Sequence, residues 1–278
     1  MGHGGEAFEV LEARLKVLLP AEYQERYEAV EPVSMGSAGL KFGVDGRVAW
    51  DEIWGSFCDL AMAGGPPHRG QLLEPESAAE IAAEPYRHEQ VVAEVCCGIT
   101  LVTGLGAEEA PTRGWVRVTC ASHAMAVWLL RAITMENVAV RSGEGRTVDV
   151  PVGPGFRLEK EIKNVVTSVA KTCHYWTGHI PAGQQRAIGE MLSTLEEELP
   201  LLQPRYAEDW SSGAWLGVEC GSVSAANWMM RMLVVSNVLS RREGTVCFAP
   251  LDAVRDPEGT MVRERVRRLQ EMGLQRGC

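Results

Sequence analysis

The residues best suited to chemistry lie in the run Ala63-Gly64-Gly65-Pro66-Pro67-His68-Arg69-Gly70, where glycines and prolines constrain a loop that carries an imidazole beside a guanidinium. Glycine allows close backbone approach and proline lowers the entropy lost on ordering, so Gly64 and Gly65 read as ligand-binding. Arg69 reads as a forked donor to a small anionic molecule, and His68 as a catalytic group that exchanges a proton near neutral pH. The run is not a phosphate loop, because no Lys-Ser/Thr ending follows it. A rigid turn between two helices is the alternative reading.

Cys120 and Cys220 each close an alternating stretch just before a helix start, where free backbone N–H groups favour thiolate, so both are candidate catalytic nucleophiles. The opposing reading is a small apolar filler at a strand end. Arg131 and Arg231 fall one turn after Trp128 and Trp228 and read as ligand-binding cations of a shared cleft, with carboxylate pairing or indole stacking as the default. Cys173, His174 and His179 gather soft ligands near a helix end, but the interval between the two histidines suits one helix face only if the chain turns at Gly178. Imidazoles capping a helix are the simpler reading, and no metal site is expected. Glu84 and His88 flank Pro85 in what reads as a helix's first turn, and Cys96 and Cys97 read as buried thiols. Gly-x-Ser-x-Gly, His-Glu-x-x-His and a dinucleotide fingerprint are all missing, so no motif names a reaction or a cofactor.

These residues are positioned by a repeat. Laid over 215–238 without a gap, 115–138 matches at Trp115/Trp215, Val118/Val218, Cys120/Cys220, Ser122/Ser222, Ala126/Ala226, Trp128/Trp228, Arg131/Arg231, Asn137/Asn237 and Val138/Val238. That is nine identities in 24 positions, where chance gives roughly one or two. Each copy begins with apolar–polar alternation, as a half-buried strand does, and continues through a Ser at the N-cap position into a helix with one apolar face. Those helices are expected over about 123–136 and 223–236. Extended segments around Ser-Gly-Glu-Gly and Arg-Arg-Glu-Gly then predict a hairpin in each copy.

Upstream, apolar spacing predicts helices over 50–63, 77–97, 158–177 and 183–198, with a G-x-x-P stop inside each pair. The stretches 105–113 and 201–213 read as loops. The expected architecture is therefore α/β (α+β), built from two helix–helix–strand–helix–hairpin units sharing one pseudo-symmetric body. The divisions are 1–37 (an N-terminal helical segment, with its helix over about 6–19), 38–150 (first unit), 151–252 (second unit) and 253–278 (a C-terminal helix, about 260–273).

Composition bounds the function. With 46% apolar and 23% charged residues the chain has ordinary globular composition, and 278 residues suffice for one large core or two modest ones. Lys and Arg number 27 against 37 Asp and Glu, a net charge of −10, so nucleic acid is not an expected partner. The basic cluster Arg263, Arg265, Arg267 and Arg268 reads as a solvated helix end. No apolar run reaches membrane-spanning length and no paired CxxC spacing occurs among the eight cysteines, so a cytoplasmic location, no membrane partner and reduced thiols are expected. The leading expectation is a small-molecule-binding or cofactor-processing enzyme, with an anion-binding Gly/Pro/His/Arg loop and thiol chemistry. A non-catalytic binding or assembly protein, a homodimer through Trp- and Met-bearing helix faces, is the rival.

Overall fold

A computed structural model describes residues 3–25, 39–53, 59–206 and 214–276. It is a mixed α+β fold with antiparallel sheets. Two strand–helix–hairpin arrangements organise it. In the first, strand β2 (Trp115–Thr119) leads into helix α4 (His123–Met135) and then the hairpin β3 (Arg141–Ser142) and β4 (Thr147–Pro151). In the second, β5 (Trp215–Glu219) leads into α7 (Val223–Val235) and the hairpin β6 (Arg241–Glu243) and β7 (Val246–Pro250). In each sheet the strand before the helix pairs antiparallel with the second strand of the hairpin, from Trp115↔Pro151 to Thr119↔Thr147 and from Trp215↔Pro250 to Glu219↔Val246.

The caps follow the sequence. Ser122 Oγ accepts Met125 N–H at 3.1 Å and Ser222 Oγ accepts Ala225 N–H at 3.1 Å, which satisfies one free donor of each helix start. Beyond each helix the chain turns through an asparagine, and Asn137 and Asn237 both have φ 59, the only non-glycine residues with positive φ among those described. Each turn delivers its next residue to a parallel bridge, Val138 beside Leu73 and Val238 beside Leu202.

The surroundings of the two arrangements differ, and four sequence expectations are corrected. The stretch 105–113 contains β1 (Gly106–Glu109), which pairs with β2 to give the sheet order β1-β2-β4-β3 against β5-β7-β6. Its polar sequence carries no strand signal, and the pairing supplied by β2 overrides propensity. The stretch 50–63 is not one helix: Trp50–Glu52 and Ala61–Ala63 are 3-10 turns, Leu60 between them is extended (φ −64, ψ 130), and 54–58 lies outside the described residues. Its apolar spacing reflects burial of Trp50 and Leu60 through Ala63. The stretch 77–97 divides into α2 (Ala78–Ala83) and α3 (Pro85–Thr103), because Glu84 (φ −131) leaves the helical region before Pro85. Finally, the G-x-x-P stops do not correspond. Helices α5 (Lys163–Gly178) and α6 (Ala182–Glu198) both precede the Leu202 bridge, whereas α2 and α3 both follow the Leu73 bridge.

One continuous apolar core joins these elements, from Leu15 and Leu18 of α1 (His3–Leu18) through Trp128, Val166 and Leu233 to Val262 of α8 (Thr260–Arg276). No helix among the described residues is long and apolar enough to cross a membrane.

Candidate functional site

Helix α5 carries the densest group of buried polar side chains. Lys163, Thr167, Lys171 and Tyr175 recur at four-residue intervals, so they line one face, and all four are buried. Ser168 beside them is fully enclosed, and its Oγ has no hydrogen-bond partner among the described residues. The helix is entered through a π turn, Leu158–Ile162, a wide turn often found at functional positions. It places Glu161 against Arg69, with Nη1 to Oε1 at 3.4 Å, while Arg157 also binds that carboxylate and holds it well down, to about 2, against the opposing effect of burial.

Opposite the stripe stands Glu136, fully buried at the end of α4. Its Oε2 accepts Lys171 Nζ at 2.9 Å and His68 N–H at 3.2 Å, and its Oε1 accepts Ala61 N–H at 3.1 Å. One carboxylate thus fixes both ends of the 61–68 segment and orients the lysine. Asn137 donates from Nδ2 to the Arg69 and Arg242 carbonyls, each at 2.8 Å. Arg231 donates from Nε to Met62 O at 3.1 Å and from Nη2 to Ala63 O.

Within this frame His68 has its Nε2 shut off from solvent and without a hydrogen-bond partner among the described residues. Burial, then the positive charges of Lys171 and Lys163, hold its pKa well below the ordinary value. The ring is therefore neutral at physiological pH, with one nitrogen able to accept or return a proton. A second polar chain ends at the same stripe: Asp59 Oδ1 accepts Tyr23 OH at 2.8 Å, and Tyr23 OH meets Tyr175 OH at 3.0 Å. Burial pushes both phenols up, so both remain protonated.

Other expected site residues have different surroundings. Gly64 adopts φ 101 at the end of the 61–63 turn, and a Cβ on Gly65 would stand 2.2 Å from Asp59 O, so the close approach that Gly65 allows is to the chain itself. The thiolate expectation for Cys120 and Cys220 is corrected: burial first, then Cys173, pushes Cys120 up to about 12, and burial raises Cys220, whose Sγ donates to Val218 O at 3.4 Å. Burial outweighs the helix terminus at both positions. Cys58 and Cys278 lie outside the described residues; the other six are free thiols.

Arg131 and Arg231 are buried and bind protein groups. Arg131 donates to Val127 O at 2.8 Å and Asn237 Oδ1 at 2.6 Å, and burial lowers its pKa to about 10. His88 faces Glu109 at 3.4 Å across to β1, not a metal-binding partner on its own helix. In the basic tail, Arg267 and Arg268 pair with Glu264, while Arg265 donates to Ser236 O at 3.0 Å beneath α7.

Two surface grooves flank α8. One of about 460 Å³ lies between α7 and α8 and is lined by Cys220, Trp228, Met229, Gln270 and Leu274. The other, of about 320 Å³, lies between α1 and α8. Neither borders the 64–70 loop. The residues that sequence reasoning passed over are Lys163, Lys171, Tyr175 and Glu136. The four-residue spacing of Lys, Thr, Lys and Tyr was the available signal, since such a row on an otherwise apolar helix must be buried with it. Compared with known protein families, with curated proteins and with solved structures, the chain finds no match.

Proposed function

We propose that this protein is an enzyme that binds a small anionic molecule between the 64–70 loop and the polar face of α5 and moves a proton on it. The observation that supports this most directly is His68: a neutral imidazole whose Nε2 has no hydrogen-bond partner among the described residues, held in the field of Lys163 and Lys171. A neutral base beside cations suits deprotonation of a molecule that carries negative charge, because the cations stabilise the charge that develops. Lys163 and Lys171 anchor the anion together, Lys171 being held in place by Glu136, and His68 is the proton acceptor. The chemical class is a carboxylate or phosphate monoester, and a cytoplasmic setting suits the free thiols.

A thermal-shift panel of small carboxylates and phosphate monoesters tests this. A member of that class should raise the melting temperature in a concentration-dependent way, and the shift should vanish in Lys163→Met and shrink in His68→Asn. No stabilisation by any member at millimolar concentration, or shifts unchanged in both variants, defeats the proposal.

The same proposal includes an internal duplication. It is supported by the nine identities, by the shared strand order of β2-β4-β3 and β5-β7-β6, and by the matched asparagine turns and parallel bridges. The assembly reading keeps one supporting observation, the α7–α8 groove with Trp228 on its wall and Leu274 79% exposed beside it. Trp128 offers it nothing, since its indole is wholly enclosed and donates to Leu18 O at 2.9 Å. Sedimentation equilibrium of the protein and of Leu274→Lys decides it: a dimer that the substitution dissociates would favour assembly.

A further inference from the structure

The two histidines at the end of α5 stand in an arrangement that their spacing alone does not suggest. His174 lies in the last turn of the helix, and His179, its C-cap residue, leaves helical geometry at φ −120 and ψ −9. The change of direction brings the two Nε2 atoms to 3.1 Å. The ring centroids are 4.9 Å apart, closer than two imidazoles meeting nitrogen to nitrogen head-on, so the nitrogen directions are bent relative to the line between them. Two imidazoles on one tetrahedral ion, at metal–nitrogen distances of about 2.0–2.1 Å, place their nitrogens about 3.3 Å apart.

The outer side of the pair is also built. His179 Nδ1 stands 2.8 Å from Glu22 Oε2 in the turn that follows α1. A carboxylate accepts, so Nδ1 carries the proton and Nε2 presents its lone pair toward His174. A carboxylate that fixes the far nitrogen of a ligating histidine is the usual outer support of a metal site. The pair is half-exposed, so an ion from solvent can reach it.

We propose that His174 and His179 form a binding site for a borderline divalent cation such as Zn(II), with Glu22 as its orienting carboxylate. On binding, the proton on His174 Nε2 passes to Nδ1, so both rings remain neutral and both Nε2 lone pairs face the ion. Among the described residues no third His, Cys, Asp or Glu completes a cluster, so the remaining positions fall to water and the site is open. Cys173 cannot join it, because its buried sulfur lies on the inner side near Cys120.

Isothermal titration of the full chain with Zn(II) at pH 7.5 tests the site. We expect one saturable equivalent that weakens at least about tenfold in His174→Ala and in His179→Gln, and about tenfold in Glu22→Gln. The glutamine at position 179 retains a donor toward Glu22, and circular dichroism checks that each variant is folded. His68→Asn should leave the titration unchanged, which separates this site from the proposed anion site. No saturable binding, or binding that persists undiminished in both histidine variants, overturns the proposal.

Discussion

At the scale of single residues, the informative groups are those whose charge state the fold decides. His68, His88 and His174 are all held below the ordinary histidine value, in each case chiefly by burial. Below about pH 6.5 the unfolded chain takes up protons at these positions that the native state refuses, so stability falls as pH falls. Above that value neither state is protonated and the contribution is flat. Urea titrations between pH 5 and 8 should show the decline only on the acid side, and His68→Asn should reduce its slope; a slope that the substitution leaves intact would contradict the assignment. Glu136→Gln probes the partner group. It leaves a buried ammonium uncompensated, and should cost about 3–5 kcal/mol in urea-unfolding free energy. His68 and Arg69 were legible in the sequence because glycine and proline mark constrained turns. Glu136 was not, because nothing in Met-Glu-Asn-Val shows that a distant loop will present two N–H groups to it.

At the scale of elements, local rules carried most of the reading where the chain is self-contained. Helices α4 and α7, their serine caps and the hairpins after them follow from periodicity and capping, each decided within about fifteen residues. What failed depends on partners far along the chain: β1 exists because β2 offers an unpaired edge, and the helix expected over 50–63 gives way to packing of Trp50–Glu52 on α3 and of Ala61–Ala63 on α4. The asparagine turns are the hinge between the two kinds of information. Replacing Asn137 by Ala should cost about 2–4 kcal/mol, since alanine resists the left-handed region and the Arg69 and Arg242 carbonyls lose their donor. Asn137→Gly should cost less, because glycine removes the backbone strain and only the lost hydrogen bonds remain. Chemical denaturation of the pair separates the contributions, and equal losses would show that the turn's conformation is unimportant.

At the scale of the whole molecule, the two strand–helix–hairpin arrangements share one core and are tied by polar contacts running both ways: Arg131 to Asn237, Arg231 to Met62 and Ala63, and Asn137 to Arg242. Tryptophan fluorescence and far-UV circular dichroism should therefore report one coincident unfolding transition, and two separated transitions would mean that the halves are independent. The ties are not equivalent, however. Arg131 meets a side-chain oxygen whereas Arg231 meets loop carbonyls, and where α4 ends in Glu136, α7 ends in Ser236. A serine hydroxyl cannot neutralise a buried ammonium, so the second half has no counterpart of the carboxylate on which the candidate site is built. The nine shared positions therefore do not imply two occupied sites: an anion held by the lysines of α5, one of them oriented by Glu136, would bind with a stoichiometry of one per chain, without a second, cooperative site within the same molecule.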